Sequence, residues 1–444
     1  MTSKSLLLLL AAPLAAQEPL SLRDAVRLAL RENQAVAASN AGVLASEARI
    51  QEARAGRLPK LNYAESFVRS DNPVFVFSSL LTQHQFGPEN FNIGPLNRPD
   101  SINNFQSVLS VDQPLYDAGQ TRRALKSAGF SRQASAEEQR RTEMQVIAGV
   151  VRAYYGVVLA AESLTTAEQA VRSAEADLQR AESVHAAGLS TDVDVLSIRV
   201  HLAAVTEQRI QRAADLDVAR SALNDALGLP LDTRHSLTSQ LTPLDLPDME
   251  LASLEHDAST ARPEVRESRL AADLARTQSE DARSALLPQV GLHAAFEADR
   301  QQFIDKGGAN WLASVSLKWN LFNGNGDKAR IAETSHWMER ARADAQRVDS
   351  AVRLDVRRAW AGLRAAQQRI EVAQAAVAEA QESLRITRNR YEAGMSNVTD
   401  LLRNETAVLE SRTRYLAAVH DQRLAAASLE LAAGRLTPDS EVLN

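Results

Sequence analysis

Two stretches of the chain carry the spacing of a coiled-coil seam. Val146, Val150, Ala153, Val157, Ala160, Leu164, Ala167, Val171, Ala174, Leu178 and Ala181 alternate steps of four and three without a break. Such spacing keeps one apolar line against a neighbouring helix. Adding 206 to each number gives Val352, Val356, Ala359, Leu363, Ala366, Ile370, Ala373, Val377, Ala380, Leu384 and Thr387, the same line with one polar exception. Chance does not hold that register, so the chain carries an internal two-fold repeat. Alanine at every second seam position lets helix axes approach closely. All 14 prolines fall outside 115–229 and 289–437, which leaves both blocks free to run as helix.

The seams predict helices over 120–187 and 326–393, each roughly 100 Å long at the rise of an α-helix. Each stops at a glycine inside a matching motif, HAAGLSTDVDVL (His185 to Leu196) and YEAGMSNVTDLL (Tyr391 to Leu402). A glycine there marks a helix stop and the tip of a hairpin. The return helices are expected over 192–227 and 398–433, with Thr191 and Asn397 as N-caps. They are too short to cover the long helices, so shorter helices at 33–57 and 263–285 are expected to complete the layer.

Between the short and the long helix of each copy the period falls from 3.6 to 2. Val290, Leu292, Ala294, Phe296 and Ala298 alternate with more polar positions, as do Trp311, Ala313, Val315, Leu317 and Trp319. The first copy repeats this more weakly with Leu61, Tyr63 and Phe67, then Leu109, Val111 and Leu115. Strands are expected at about 58–69, 105–116, 287–299 and 310–321, each long enough to cross a membrane as part of a barrel. Trp311 and Trp319 suit an aromatic girdle at the membrane interfaces. The repeat offset falls from 229 at Pro59 and Pro288 to 206 at Ser110 and Ser316, so the first copy has 23 extra residues. They lie within 71–104, which is rich in proline, asparagine and phenylalanine and reads as a loop. Four strands do not close a membrane barrel, and open edges are not tolerated in lipid. The chain must oligomerise, and a trimer supplies twelve strands.

Composition narrows the function classes. The formal charge of −6 with interspersed basic residues gives no footprint for nucleic acid. Residues 1–16, MTSKSLLLLLAAPLAA, have the layout of a secretory signal peptide. The LAA that follows its leucines resembles a lipoprotein cleavage box, but Gln17 stands where that box needs cysteine. The chain has no cysteine at all, which excludes lipidation through cysteine, disulfides and thiolate metal sites. The eight histidines are scattered with no HExxH, so no metal or other cofactor is expected. Gly324, Asn325 and Gly326 have a faint look of a phosphate loop but lack its ending. The chain reads as a non-enzyme.

The ordered set SLRDAVRLALREN (Ser21 to Asn33), Leu58-Pro59, VDQPLYDAG (Val111 to Gly119), HAAGLSTDVDVL, RPEV (Arg262 to Val265), LPQV (Leu287 to Val290), SLKWNLFNGN (Ser316 to Asn325) and YEAGMSNVTDLL resembles the TolC family of outer-membrane efflux proteins over nearly the whole mature chain. The resemblance implies a fold that is mainly α with transmembrane β. Long antiparallel helical hairpins would form an α-barrel tunnel, and four strands per chain would contribute to a twelve-stranded trimeric barrel. The expected organisation is a signal peptide at 1–16, a first repeat at 17–228, a linker and mid-tunnel region at 229–262, a second repeat at 263–434 and a tail at 435–444. The resemblance further implies a homotrimer in the outer membrane lipid, extending into the periplasm. It would be a passive exit duct of a tripartite efflux or type I secretion system, docking a periplasmic adaptor (membrane fusion protein) and an inner-membrane pump.

By the same resemblance, Tyr391 matches the family's gate tyrosine, Asp194 its carboxylate partner, and Asp400 one of the carboxylates ringing the entrance. The tips for adaptor contact are Gly188, Leu189, Ser190, Gly394, Met395 and Ser396. Ser396 stands where a well-known relative has an arginine, and Arg403 where it has a second ring carboxylate. A plainer reading stands beside the gate. Asp194 and Asp400 each follow an N-cap by three residues, where a carboxylate is favoured at any helix start. Tyr391 sits on the seam, where a packed aromatic is ordinary. The alternative function is a periplasmic coiled-coil adaptor, which explains the hairpins and signal peptide but not four amphipathic strands placed between helices.

Overall fold

A computed structural model describes residues 19–188, 190–245 and 249–443. The expected signal peptide and Leu189 lie outside the described residues. The helices are α1 (Leu22–Glu32), α2 (Gln34–Ala55), α3 (Pro73–Thr82), α4 (Ile93–Asn97), α5 (Gln120–Ala186), α6 (Asp192–Leu227), α7 (Leu251–Ala261), α8 (Pro263–Ser284), α9 (Gly326–Glu392) and α10 (Val398–Ala432). The strands are β1 (Pro19–Leu20), β2 (Lys60–Ser70), β3 (Ile102–Tyr116), β4 (Ser236–Leu237), β5 (Gln289–Arg300) and β6 (Gly308–Lys318). The chain divides into two compact units, one drawn from residues up to Ala41, Glu137–Arg266 and Gln346 onward, the other from Gly42–Ala136 and Glu267–Ala345.

The first unit is helical. Its core takes the expected seam residues Val150, Val157, Ala167, Ala174 and Ala181 from α5, and Val352, Val356, Leu363, Ala366 and Ile370 from α9. It also takes Tyr154 and Tyr155, which lie beside the seam and are fully buried. A buried tyrosine needs a partner for its hydroxyl. Tyr154 donates to the Leu20 carbonyl at 2.9 Å, and Tyr155 accepts from Arg423 Nη1 at 2.9 Å. Residues 229–262, expected as a linker, contain helix α7 and strand β4, which pairs in parallel with β1. Gln422 of α10 holds this segment by its main chain, accepting from Leu244 N at 2.8 Å and donating to its carbonyl at 2.9 Å. By length and composition α5 passes the test for a membrane-crossing helix, but its apolar Val150, Val151, Val157 and Val158 are buried in this helical core.

The second unit is built on one antiparallel sheet in the order β2-β3-β5-β6. Its register sorts the side chains by face. Tyr63 pairs with Leu109, Leu109 with Phe296 and Phe296 with Trp311, a continuous apolar row across all four strands. These four side chains are 66, 44, 51 and 80 % exposed. The other face carries Ser66, Gln106 and Asp299 in one row and Asn62, Ser110, Ala295 and Leu312 in another. A sheet with one large open apolar face and one mainly polar face has the pattern of a barrel wall between lipid and water. The outer edges of β2 and β6 are unpaired among the described residues.

The expectation that 71–104 is a loop is corrected. The segment holds helix α3, a 3₁₀ turn at Pro88–Phe91 and helix α4, and β3 begins at Ile102. Asn72 explains the helix: its Oδ1 accepts from Val74 N at 3.0 Å and Phe75 N at 3.2 Å, and Pro73 occupies the first helical position. Proline there starts a helix instead of breaking one.

Candidate functional site

The hairpin tips lie in the first unit. At each tip the chain stops in the left-handed region, with φ of 73° at Gly188 and 70° at Gly394. Gly394 N donates to the Tyr391 carbonyl at 2.9 Å and Met395 N to the Arg390 carbonyl at 2.8 Å, a Schellman stop that only a residue free of Cβ strain adopts cheaply. The return helices start at caps. Thr191 accepts from Asp194 N, and the Asp194 carboxylate accepts from Thr191 N at 3.1 Å and Thr191 Oγ1 at 2.9 Å. Asn397 Oδ1 accepts from Asp400 N at 2.8 Å. Met395 is well exposed, Gly188 and Gly394 are open, and Ser190 and Ser396 are half-buried.

Tyr391 packs against Ala181, Val195, Ile198 and Val398, a small apolar cluster that joins both hairpins just behind the tips. Burial raises the pKa of its hydroxyl, and the charges of Asp194 and Asp177 raise it further. Tyr391 and Asp194 are therefore neighbours electrostatically, while the direct hydrogen bonds of Asp194 go to its own cap. Asp400 accepts from Ser396 Oγ at 3.3 Å and lies 4.0 Å from Arg403 Nη1. Its charge has a cation on the next turn. Trp311 lies on the apolar face of the sheet in the second unit, and Trp319, just past β6, donates to the Leu286 carbonyl at 3.1 Å.

Further along the same helices the structure assembles a polar cluster that the sequence did not announce. Arg388 Nη2 of α9 lies 2.8 Å from Glu405 Oε1 of α10, 2.9 Å from Ser173 Oγ and 3.4 Å from Asp177 Oδ2 of α5. His201 Nε2 of α6 stands 3.4 Å from Glu405 Oε2, and Arg180 lies 3.1 Å from Asp177 and 3.2 Å from Glu392. The Arg388 guanidinium thus ties α9 to α5 and α10, and Glu405 extends the cluster to α6 through His201. Asp177 and Glu405 are almost wholly buried. Burial, with Glu405 beside it, pushes the Asp177 carboxyl up to about 7 against the pull of Arg388 and Arg180. Burial acts the same way on Glu405, but His201, Asp177 and Ser173 outweigh it and draw that carboxyl down to about 2. Two neighbouring buried carboxyls titrate as a pair, and the opposite shifts favour the proton on Asp177 over Glu405.

The repeat concealed this cluster, because adding 206 to Asp177 gives Ser383 and adding it to His201 gives Ala407. The one visible signal was Thr387, the polar break in the second seam. Its Oγ1 accepts from Asn404 Nδ2 at 3.2 Å, and it directly precedes Arg388 in α9.

Comparison with known proteins bears on the whole chain. Residues 25–229 and 254–435 match the family described as outer membrane efflux protein. Protein CyaE of Bordetella pertussis is 28% identical over 345 residues, 76% of this chain and 72% of that protein. Outer membrane efflux protein BepC of Brucella suis biovar 1 is 26% identical over 444 residues, 94% of this chain and 93% of that one. Among solved structures, the CmeC outer membrane channel of Campylobacter jejuni superposes with a TM-score of 0.80 at 17% identity, over 95% of this chain and 87% of that chain. The adaptor alternative falls with these matches. The chain belongs to the family of outer membrane efflux proteins, the TolC-like channels, and is an exit duct in the outer membrane.

Proposed function

We propose that three copies of the chain close a twelve-stranded barrel and a helical tunnel, forming a passive, non-catalytic duct that receives cargo from a periplasmic adaptor and an inner-membrane pump. The observation that carries this reading is the four-stranded sheet, with large exposed hydrophobics on one face and two unpaired edges. Unpaired strand edges are costly in lipid and disappear on closure. A second feature supports association through the helices. Val193, Leu196, Val200, Ile210 and Val218 form an exposed apolar stripe along α6, the kind of face that further copies cover.

In this reading the tips at Gly188, Leu189, Ser190, Gly394, Met395 and Ser396 meet the adaptor. Tyr391, Asp194 and Asp400 form the periplasmic gate, and Trp311 and Trp319 mark the membrane interfaces. The packing of Tyr391 across both hairpins supports its part, since separating the hairpins must unpack it.

Fractionation and conductance test the proposal. A detergent-requiring, heat-modifiable trimer is expected in the outer-membrane fraction, and release as a soluble protein contradicts it. In planar bilayers Tyr391→Phe with Asp194→Ala is expected to lengthen open times. Unchanged opening removes these residues from the gate without touching the duct.

A further inference from the structure

The extra segment of the first repeat lies across the polar face of the sheet. Val76, Ser79 and Gln83, at helical spacing, are buried against it. Gln83 Nε2 donates to the Asn103 carbonyl at 3.0 Å and to Asn104 Oδ1 at 2.8 Å, and Asn104 Nδ2 donates to Asp299 Oδ1 at 2.6 Å. Asn310 Nδ2 donates to the Thr82 carbonyl at 3.1 Å, and Gln301 Nε2 to Gln85 Oε1 at 2.7 Å. Ile102, Asn104, Asp299, Gly308 and Asn310 all alternate onto the polar face, opposite the row containing Phe67 and Phe105. The contact is close: a Cβ on Gly308 would sit 2.0 Å from the Thr82 carbonyl oxygen. Behind the helix, Phe77, Phe86 and Phe91 stack edge to face with centroids 4.8 and 5.1 Å apart. The segment is therefore a folded piece with its own apolar centre. Its remaining side leaves Val74 78% and Leu81 47% exposed.

We propose that α3 is a bar across the outer mouth of the duct, seated by Gln83, and that it sets the largest solute able to pass there. The inference rests on the proposed barrel, in which the polar face looks into the lumen. The seat is at the end of the strands joined by loops, the end away from the connections to α2, α5, α8 and α9. Three copies would project three such helices, with Val74 and Leu81, toward the axis of the opening. Gln83 is a positioning residue: its amide joins the helix end to β3 and, through Asn104, to β5, beside the bond from Asn310 of β6.

The absence of cysteine gives a clean probe. Ser110→Cys places one thiol on the polar face, deeper in the strand than Asn104, and Val315→Cys places one on the opposite face. Intact cells are treated with a small water-soluble maleimide and with the same maleimide on a bulky polyethylene glycol chain. At Ser110→Cys the small reagent is expected to react and the bulky one to be excluded. Gln83→Glu, which turns a carboxylate toward the Asn103 carbonyl, is expected to raise the bulky reagent's rate roughly tenfold, the size of effect expected from losing a hydrogen bond or two. Replacing 73–99 by a short glycine-serine linker is expected to raise it further, with the small reagent unchanged. Both variants are first checked as heat-modifiable trimers, so that a misassembled one does not decide the result. Equal bulky labelling of the parent and the variants overturns the bar, as does exclusion that persists in the linker variant. A different outcome would strike the barrel reading itself: a Ser110→Cys thiol inert to the small reagent while Val315→Cys reacts.

Discussion

Arg388 of α9 and Glu405 of α10 meet at 2.8 Å inside the hairpin assembly, and the same guanidinium nitrogen lies 3.4 Å from Asp177 of α5. Their energetics are those of a buried ion cluster, where removing one partner strands the others. Arg388→Leu is expected to destabilise the hairpins by about 3 kcal/mol, because the buried Glu405 carboxylate loses its guanidinium partner and Asp177 keeps only Arg180. The triple variant Arg388→Leu, Asp177→Leu, Glu405→Leu is expected to recover most of that loss, since no charge remains buried. Thermal melts of the purified trimer followed by circular dichroism check the order. A triple variant less stable than the single one contradicts the account.

The raised pKa of Asp177 makes the cluster sensitive to pH in a defined direction. A carboxyl raised from 3.8 to about 7 binds more protons folded than unfolded across that window, so its contribution to stability falls as pH rises from about 4 through 7. Glu405, lowered from 4.5 to about 2, works oppositely, and its contribution is lost only in strong acid. The groups facing the pair are Arg180 on α5, His201 on α6, and Arg388 and Tyr391 on α9. Hydrogen exchange of amides near 173–181 and 384–405, corrected for the intrinsic pH dependence, is expected to accelerate as pH rises from about 4 to 7 and to level off above that. Asp177→Asn, which keeps the neutral form, should flatten that rise while His201→Gln should not. A rise that persists in Asp177→Asn assigns the titration elsewhere.

What the sequence made legible follows from how each feature is encoded. A helix that needs one apolar line every three or four residues writes that line into the chain, and α5 and α9 carry it. Likewise the alternation Val290, Leu292, Ala294, Phe296 lies on β5, where period two places all four on one face of the sheet. Pro73 misled for a local reason, since the same residue that breaks a helix begins one after Asn72. The Arg388 cluster misled for a global one. Its members include residues 211 apart in sequence, and no single element repeats or spaces them. Tyr154 and Tyr155 show a third case, in which side chains beside the seam take more of the core than the alanines on it.

Glu65, midway along β2, and Arg300, at the loop end of β5, form an ion pair at 3.0 Å on the apolar face, with Ser107 and the Tyr63 hydroxyl bonded to the same carboxylate. Arg300 also lies over the Phe303 ring, 5.6 Å from its centroid. In the proposed barrel this face meets lipid, where charge is costly unless paired. Arg300→Leu is expected to impair assembly more than Glu65→Gln with Arg300→Leu, which removes both charges together. The fraction of heat-modifiable trimer in the membrane measures this. Equal impairment by the two variants denies that the pairing matters there.

Two glycine substitutions separate the conformation of the lone chain from its packing. At Gly394 a Cβ meets nothing within 4 Å, but φ is 70°, so alanine costs about 1–2 kcal/mol in backbone strain alone. At Gly362, inside α9, a Cβ also meets nothing within 4 Å and the backbone is helical. Alanine there should stabilise the helix by about 1 kcal/mol. Hydrogen exchange of the flanking amides is expected to quicken in Gly394→Ala and slow in Gly362→Ala. The second result has a further use, because the open space beside Gly362 belongs to a single chain. If Gly362→Ala quickens exchange in the assembled trimer yet not in a dissociated one, another copy occupies that space, and α9 runs against its neighbour at this point.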